Sequence, residues 1–276
     1  MLRKTKINKK TKTSRKLQNR KRIIQKKIIP QKKIVKAINK KVVEHTISET
    51  NIPKLVWYVG GLIALVFFIL YLTTAPKTNV SYADSDELLS IANNLGLAHP
   101  PGYPLYVILL SFFLRLPIPG EIAFRGHIFS IASHVLALLF IFVSMWSLVA
   151  LAQQTIYKAK TIINERFDRW FLATLITALL GSSFLFWLYG IITEKYAFND
   201  LLVAILIFAM IRILTPNISN KKSYWYLLAT SFGLAITHHQ LTITVLPMIA
   251  LVIWQERKNL QLKTIAISIS IILSTF

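Results

Sequence analysis

The sequence predicts an all-α fold, a polytopic transmembrane helix bundle, and three observations lead to it. Apolar residues make up 54% of the chain and the mean hydropathy is +0.52. The first uncharged run, Leu55 to Ala75, is 21 residues long. As a helix it spans about 31 Å, which matches a bilayer core of roughly 30 Å. The charge is lopsided, with 19 of the 33 Lys and Arg inside residues 1–54. The net +22 therefore describes one end of the chain. Cysteine is absent, which removes disulfide frameworks and thiolate metal sites.

Residues 1–52 carry only Glu44 and Glu49 as acids and show no sustained helical period. They are expected to form a mostly disordered cytoplasmic tail that meets anionic membrane lipid. No aromatic residue precedes Trp57, so base stacking has no platform and nucleic acid is not an expected partner. Ser81-Tyr82-Ala83 resembles a signal-peptidase site, but the basic and apolar stretches before it are too long, and the first span reads as an uncleaved anchor.

The multi-pass domain is expected over residues 53–276, with spans at about 55–75, 126–152, 170–192, 198–214, 224–237, 241–254 and 264–276. Positive-inside logic puts the N-terminus in the cytoplasm and residues 76–125 outside the cell (inner) membrane. Each loop then assigned to the inside is net positive: Lys158, Lys160, Arg166 and Arg169, then Lys221 and Lys222, then Arg257, Lys258 and Lys263. The chain ends at Phe276 in mid-span and is expected to be C-terminally incomplete.

This topology gathers Asp84, Glu87, His99, Arg125, Glu194, Lys195, Asn199, Asp200, His238 and His239 on the extracytoplasmic face. Ionisable groups near membrane depth usually face a cavity or pathway. The first outer loop should contain two short surface helices, 84–97 and 103–116, hinged at Pro100-Pro101-Gly102. Asp84-x-x-Glu87 before Leu88-Leu89 fits a capping box, with Asp84 as N-cap and Glu87 three residues on. Two carboxylates on one helix face also suit acid–base work. Spacing does not choose between capping and catalysis. Glu194-Lys195 reads locally as a charge pair in a tight turn, and the adjacent His238 and His239 point in different directions on a helix. No phosphate-cradling glycine loop, His-Glu-x-x-His motif or nucleophile elbow occurs.

The order of these motifs resembles a known family. Asp84-x-x-Glu87, His99-Pro-Pro-Gly-Tyr-Pro-Leu-Tyr106, Arg125 with Ser130, Glu194-x-Tyr196-x-x-Asn199 and Gly233-Leu-Ala235 before His238-His239 are similar to domain of unknown function 2723. That membrane family is related to protein O-mannosyltransferases. The resemblance covers about residues 80–250, and the His-Pro-Pro-Gly-Tyr-Pro-Leu element is its most specific part. It implies a GT-C glycosyltransferase fold, a polyprenyl-phosphate sugar as donor and a loop carboxylate as base. Asp86 stands where a small residue is expected, which leaves the base open between Asp84 and Asp86. Lys195 replaces an expected apolar residue.

On that resemblance, Asp84 and Glu87 are the expected catalytic pair. His99, Tyr103, Arg125, Glu194, Tyr196, Asn199, His238 and His239 are expected to bind substrate, with the carrier phosphate assigned to Arg125. The implied acceptor is an extracytoplasmic hydroxyl, on protein Ser/Thr or a glycan. Mannose is one candidate sugar, and neither a cofactor nor a metal is specified. Two other readings remain: a transporter or flippase of lipid-linked sugars, and a non-catalytic membrane scaffold working through its basic tail.

Overall fold

The computed structural model describes residues 51–156 and 165–275. The basic segment expected over 1–52 lies outside the described residues except for its last two. Every regular element among the described residues is helical, so the all-α expectation holds.

Helix α1 (Lys54–Thr74) buries Val56, Gly60, Ala64, Phe67 and Tyr71 along one seam. Leu55, Tyr58, Leu62, Leu65, Val66 and Ile69 face outward. Spacings of three and four residues on a uniformly apolar helix mean that one stripe packs on protein and the rest suits lipid. Two short helices follow, α2 (Ser85–Asn94) and α3 (Pro104–Leu114), in the places expected for the loop helices. Leu95 ends α2 in a left-handed conformation, φ 53°. Gly102, φ 92°, turns the chain into α3, whose first proline sits at the position where its missing N–H goes unneeded.

The long helix α4 (Ile122–Ile156) is central and packs on α1, on α5 (Glu165–Gly181) and on α7 (Lys195–Leu214). The apolar run 170–192 is divided between α5 and α6 (Phe184–Ile191), which bend by 62°. The bend falls at Gly181-Ser182-Ser183, where small residues interrupt the helical ladder. The phenolic O–H of Tyr71 donates to the Gly181 carbonyl at 2.6 Å, supplying a partner at the break.

Helix α8 (Lys221–His238) packs on α7, and a 3₁₀ turn (Gln240–Val245) leads into α9 (Leu246–Glu256) and then α10 (Leu262–Ser274). Among the described residues, α1, the 122–152 part of α4 and α7 are long and apolar enough to cross a membrane, and the bent α5–α6 pair adds a fourth when counted as one span. The runs 224–237, 241–254 and 264–276 coincide with α8, α9 and α10, which do not meet that standard.

Candidate active site at one end of the bundle

One face of the first turns of α4 frames the site. A Cβ on Gly126 would lie 2.5 Å from Thr193 Oγ1 and 2.9 Å from Leu89 Cδ1. Only glycine lets α4, α2 and the segment before α7 approach this closely. His127 Nε2 lies 3.2 Å from the Thr78 carbonyl, which can only accept, so this nitrogen carries the proton. Its Nδ1 then accepts from Thr193 Oγ1 at 2.8 Å. One turn on, Ser130 Oγ accepts the Glu194 N–H at 3.2 Å. Three side positions of α4 thus hold residues 193–194.

Glu194 is fully buried. Its Oε1 accepts the backbone N–H of Asp84 at 2.7 Å, and its Oε2 accepts the N–H of Lys195 at 3.2 Å. Burial pushes its carboxyl above the usual glutamate range, against the two N–H donors and the lysine that favour the charged form. Glu194 is therefore the residue that ties the loop before α2 to α7.

Asp84 occupies the position before α2, but its side chain caps nothing there. It forms an ion pair with the Lys195 ammonium. Glu87 does not reach back to the helix start either: it grips His99, Oε1 accepting the backbone N–H at 2.8 Å and Oε2 lying 2.7 Å from Nδ1. The capping box is not formed, because both carboxylates find stronger partners at longer range. The bonds to His99 hold the Glu87 carboxyl below the usual range. A depressed carboxyl contributes stability that is complete above the free value near about pH 4.3 and is lost as pH falls through the folded pKa. Acidification from neutral pH to below the free value near about 4.3, on through the lowered folded pKa, should therefore release His99 from Glu87. Following the His99 ring resonances through that range checks this, and an unshifted ring environment would refute it.

The remaining groups close around these carboxylates. The Tyr103 ring lies 5.6 Å from His99 and 6.4 Å, stacked, from His239. Tyr196 lies 5.6 Å from His239. The Lys195 ammonium sits 4.9 Å from the Tyr103 ring centre and 5.0 Å from that of Tyr196. His238 is fully buried, its Nε2 donating to the Lys195 carbonyl at 3.0 Å and its ring 6.1 Å from that of Tyr103. Asn199 accepts from Thr242 Oγ1 at 3.3 Å, a link between α7 and the 3₁₀ turn. Arg125 Nε donates to the Gly120 carbonyl and Nη1 to that of Leu114, each at 3.2 Å. It braces the connection from α3 to α4.

Asp84, Glu87 and His99 bring possible ligand atoms within 4.8 Å of one another, enough for a divalent cation. Asp84 already holds an ammonium and Glu87 is bonded to His99, so a cation would have to displace the ammonium and break the direct Glu87–His99 ring contact. Sequence reasoning named nearly all of the residues that cluster here, but not Lys195, His127 or Ser130 in their roles. The available signal was a lysine placed at the start of an otherwise apolar span, where an ammonium needs a counter-charge.

Residues 84–262 match the family described as Protein O-mannosyl-transferase TMEM260 N-terminal domain. The protein O-mannosyl-transferase TMEM260 of Mus musculus is 25% identical over 195 residues, covering 70% of this chain and 25% of the mouse protein. The protein O-mannosyl-transferase tmem260 of Dictyostelium discoideum is 28% identical over 180 residues, covering 61% of this chain and 20% of its own length. The matched region thus spans a quarter or less of these relatives. No solved structure matches the chain significantly. With the match running from Asp84 through both histidines to Leu262, the chain belongs to the protein O-mannosyl-transferase TMEM260 N-terminal domain family.

Proposed function

We propose that this chain is the catalytic membrane portion of a GT-C-type glycosyltransferase. In this reading it moves a sugar, mannose by the name its relatives carry, from a polyprenyl-phosphate carrier to protein Ser/Thr hydroxyls. The observation that carries the proposal is the placement of Asp84. Its carboxylate is one-third exposed, its backbone is anchored by buried Glu194, and His99, Tyr103 and Lys195 surround it. A fixed, accessible carboxylate can take the proton of an acceptor hydroxyl while the new bond to the anomeric carbon forms. The bond from that carbon to the phosphate oxygen breaks, and the electron pair leaves with the lipid phosphate. In this reading the cluster faces the extracytoplasmic side, the N-terminus is cytoplasmic, and the apolar helices sit in the cell membrane.

The test is transfer in membranes containing the protein, supplied with radiolabelled polyprenyl-phosphate mannose and a Ser/Thr-rich peptide. Label should appear on the peptide and be released by mild alkali. If the wild-type protein leaves the carrier-linked sugar untouched, the proposal fails.

A further inference from the structure

Lys195 is 3% exposed, yet it carries a charge into the start of an apolar helix. Such a group persists only when opposite charge or oriented dipoles hold it. Here its backbone is fixed from both sides, by the N–H to Glu194 Oε2 and by His238 on its carbonyl. The ammonium itself is less confined. It pairs with Asp84, lies 3.8 Å from Glu194 Oε2, and rests beside the rings of Tyr103 and Tyr196. Aromatic faces attract a cation without demanding one hydrogen-bond geometry, so they line a short path along which it can move. Lysine suits this, being a compact charge on a flexible stem, where arginine would be held in a fork. Asp84, its partner, is one-third exposed, so the pair opens toward solvent on the carboxylate side.

The proposed reaction needs a cation at the leaving phosphate, and Arg125 is engaged with two backbone carbonyls. A carboxylate that stays paired with an ammonium is also a poorer base than a free one. Both requirements meet at one side chain. We propose that Lys195 is the phosphate-binding cation of the donor site and that, with no donor bound, it is parked on Asp84. A lipid-borne phosphate draws the ammonium off Asp84, and the exchange frees that carboxylate to accept the acceptor proton. Lys195 keeps its own proton throughout and neutralises the departing phosphate. Donor binding and base activation become one event, which keeps Asp84 from acting before the donor is in place. The inference rests on the glycosyltransferase reading for the identity of the donor, though not for the binding of phosphate.

The exchange makes an uncommon prediction for affinity. Asp84 competes with phosphate for Lys195, so Asp84→Asn should bind phosphate more tightly than wild type. The full chain is placed in nanodiscs of phosphatidylcholine doped with polyprenyl monophosphate, and saturation is followed by the intrinsic tyrosine and tryptophan emission. Lys195→Met should weaken binding about 10–100-fold, the range for losing a hydrogen bond to a charged group. Lys195→Arg should recover part of it. Asp84→Asn should tighten binding by about fivefold, the upper range for removing a competing ion pair that meets solvent on its carboxylate side. Misfolding cannot produce that gain. A parallel arm with phosphatidylglycerol separates sources: lysine-dependent binding there assigns the phosphate to a headgroup, and its restriction to the polyprenyl arm assigns it to the carrier.

Wild-type affinity in Lys195→Met overturns the inference, as does an Asp84→Asn protein that binds no tighter than wild type. The transfer assay on the same preparations keeps the two claims apart. Transfer by wild type with lysine-independent binding sinks this inference alone. Lysine-dependent binding without transfer sinks the proposed function alone.

Discussion

Asp84→Asn should lower sugar transfer by roughly 10²–10⁴, the usual consequence of losing a general base. The side chain keeps its shape, and the Asp84 N–H that Glu194 holds belongs to the backbone and survives the change. No helix cap is lost, since the carboxylate makes no capping bond to α2. The affected partner is Lys195, whose ammonium keeps an amide oxygen on one side and Glu194 on the other. The variant should therefore remain folded, and melting measured beside turnover separates the two effects. Asp86 supplies the control. It forms no ion pair with the cluster, and its buried Oδ1 has no hydrogen-bond partner, so Asp86→Asn should be mild. Normal turnover in Asp84→Asn, or collapse in Asp86→Asn alone, would move the base to Asp86.

Glu194→Ala should damage both stability and turnover. The carboxylate satisfies two backbone N–H groups from segments 111 residues apart in sequence, one on Asp84 and one on Lys195. Leaving a buried donor unmade costs about 1–3 kcal/mol, and here there are two. The Lys195 ammonium also loses its second counter-charge beside Asp84. Glu194→Gln keeps one good acceptor and sets an amide N–H₂ against the other donor, so it should fall between alanine and wild type. The readouts are thermal unfolding in lipid and transfer rate, with the order wild type, Gln, Ala expected in both. Unfolding of the alanine variant at the wild-type temperature would show that Glu194 does not tie the loop to α7.

Much of the outline was legible because hydrophobic runs and turn residues are local properties. The uncharged run at 55–75 coincides with α1, and His99-Pro-Pro-Gly-Tyr-Pro separates α2 from α3. The all-α fold and the grouping of Asp84, Glu194 and His239 at one end follow from composition and from counting spans. The break at Gly181-Ser182-Ser183 was hidden inside an apolar run that continues through it. What reveals it is the Tyr71 hydroxyl, which meets the Gly181 carbonyl from 110 residues away.

The site divides in the same way. Sequence alone determined which residue types gather at this end of the bundle: carboxylates, histidines, tyrosines and a lysine. Their partners were beyond it. Asp84-x-x-Glu87 satisfies the local rule for a capping box, and spacing cannot say whether a better partner waits elsewhere. Only the tertiary structure brings Lys195 to Asp84 across 111 residues, and His99 to Glu87 across 12. Asp84 meets a full opposite charge there, and Glu87 meets two donors of one residue, where a cap would offer each a single backbone N–H. Arg125 shows a related effect, a cation well placed in sequence that turns two of its five donors to nearby carbonyls.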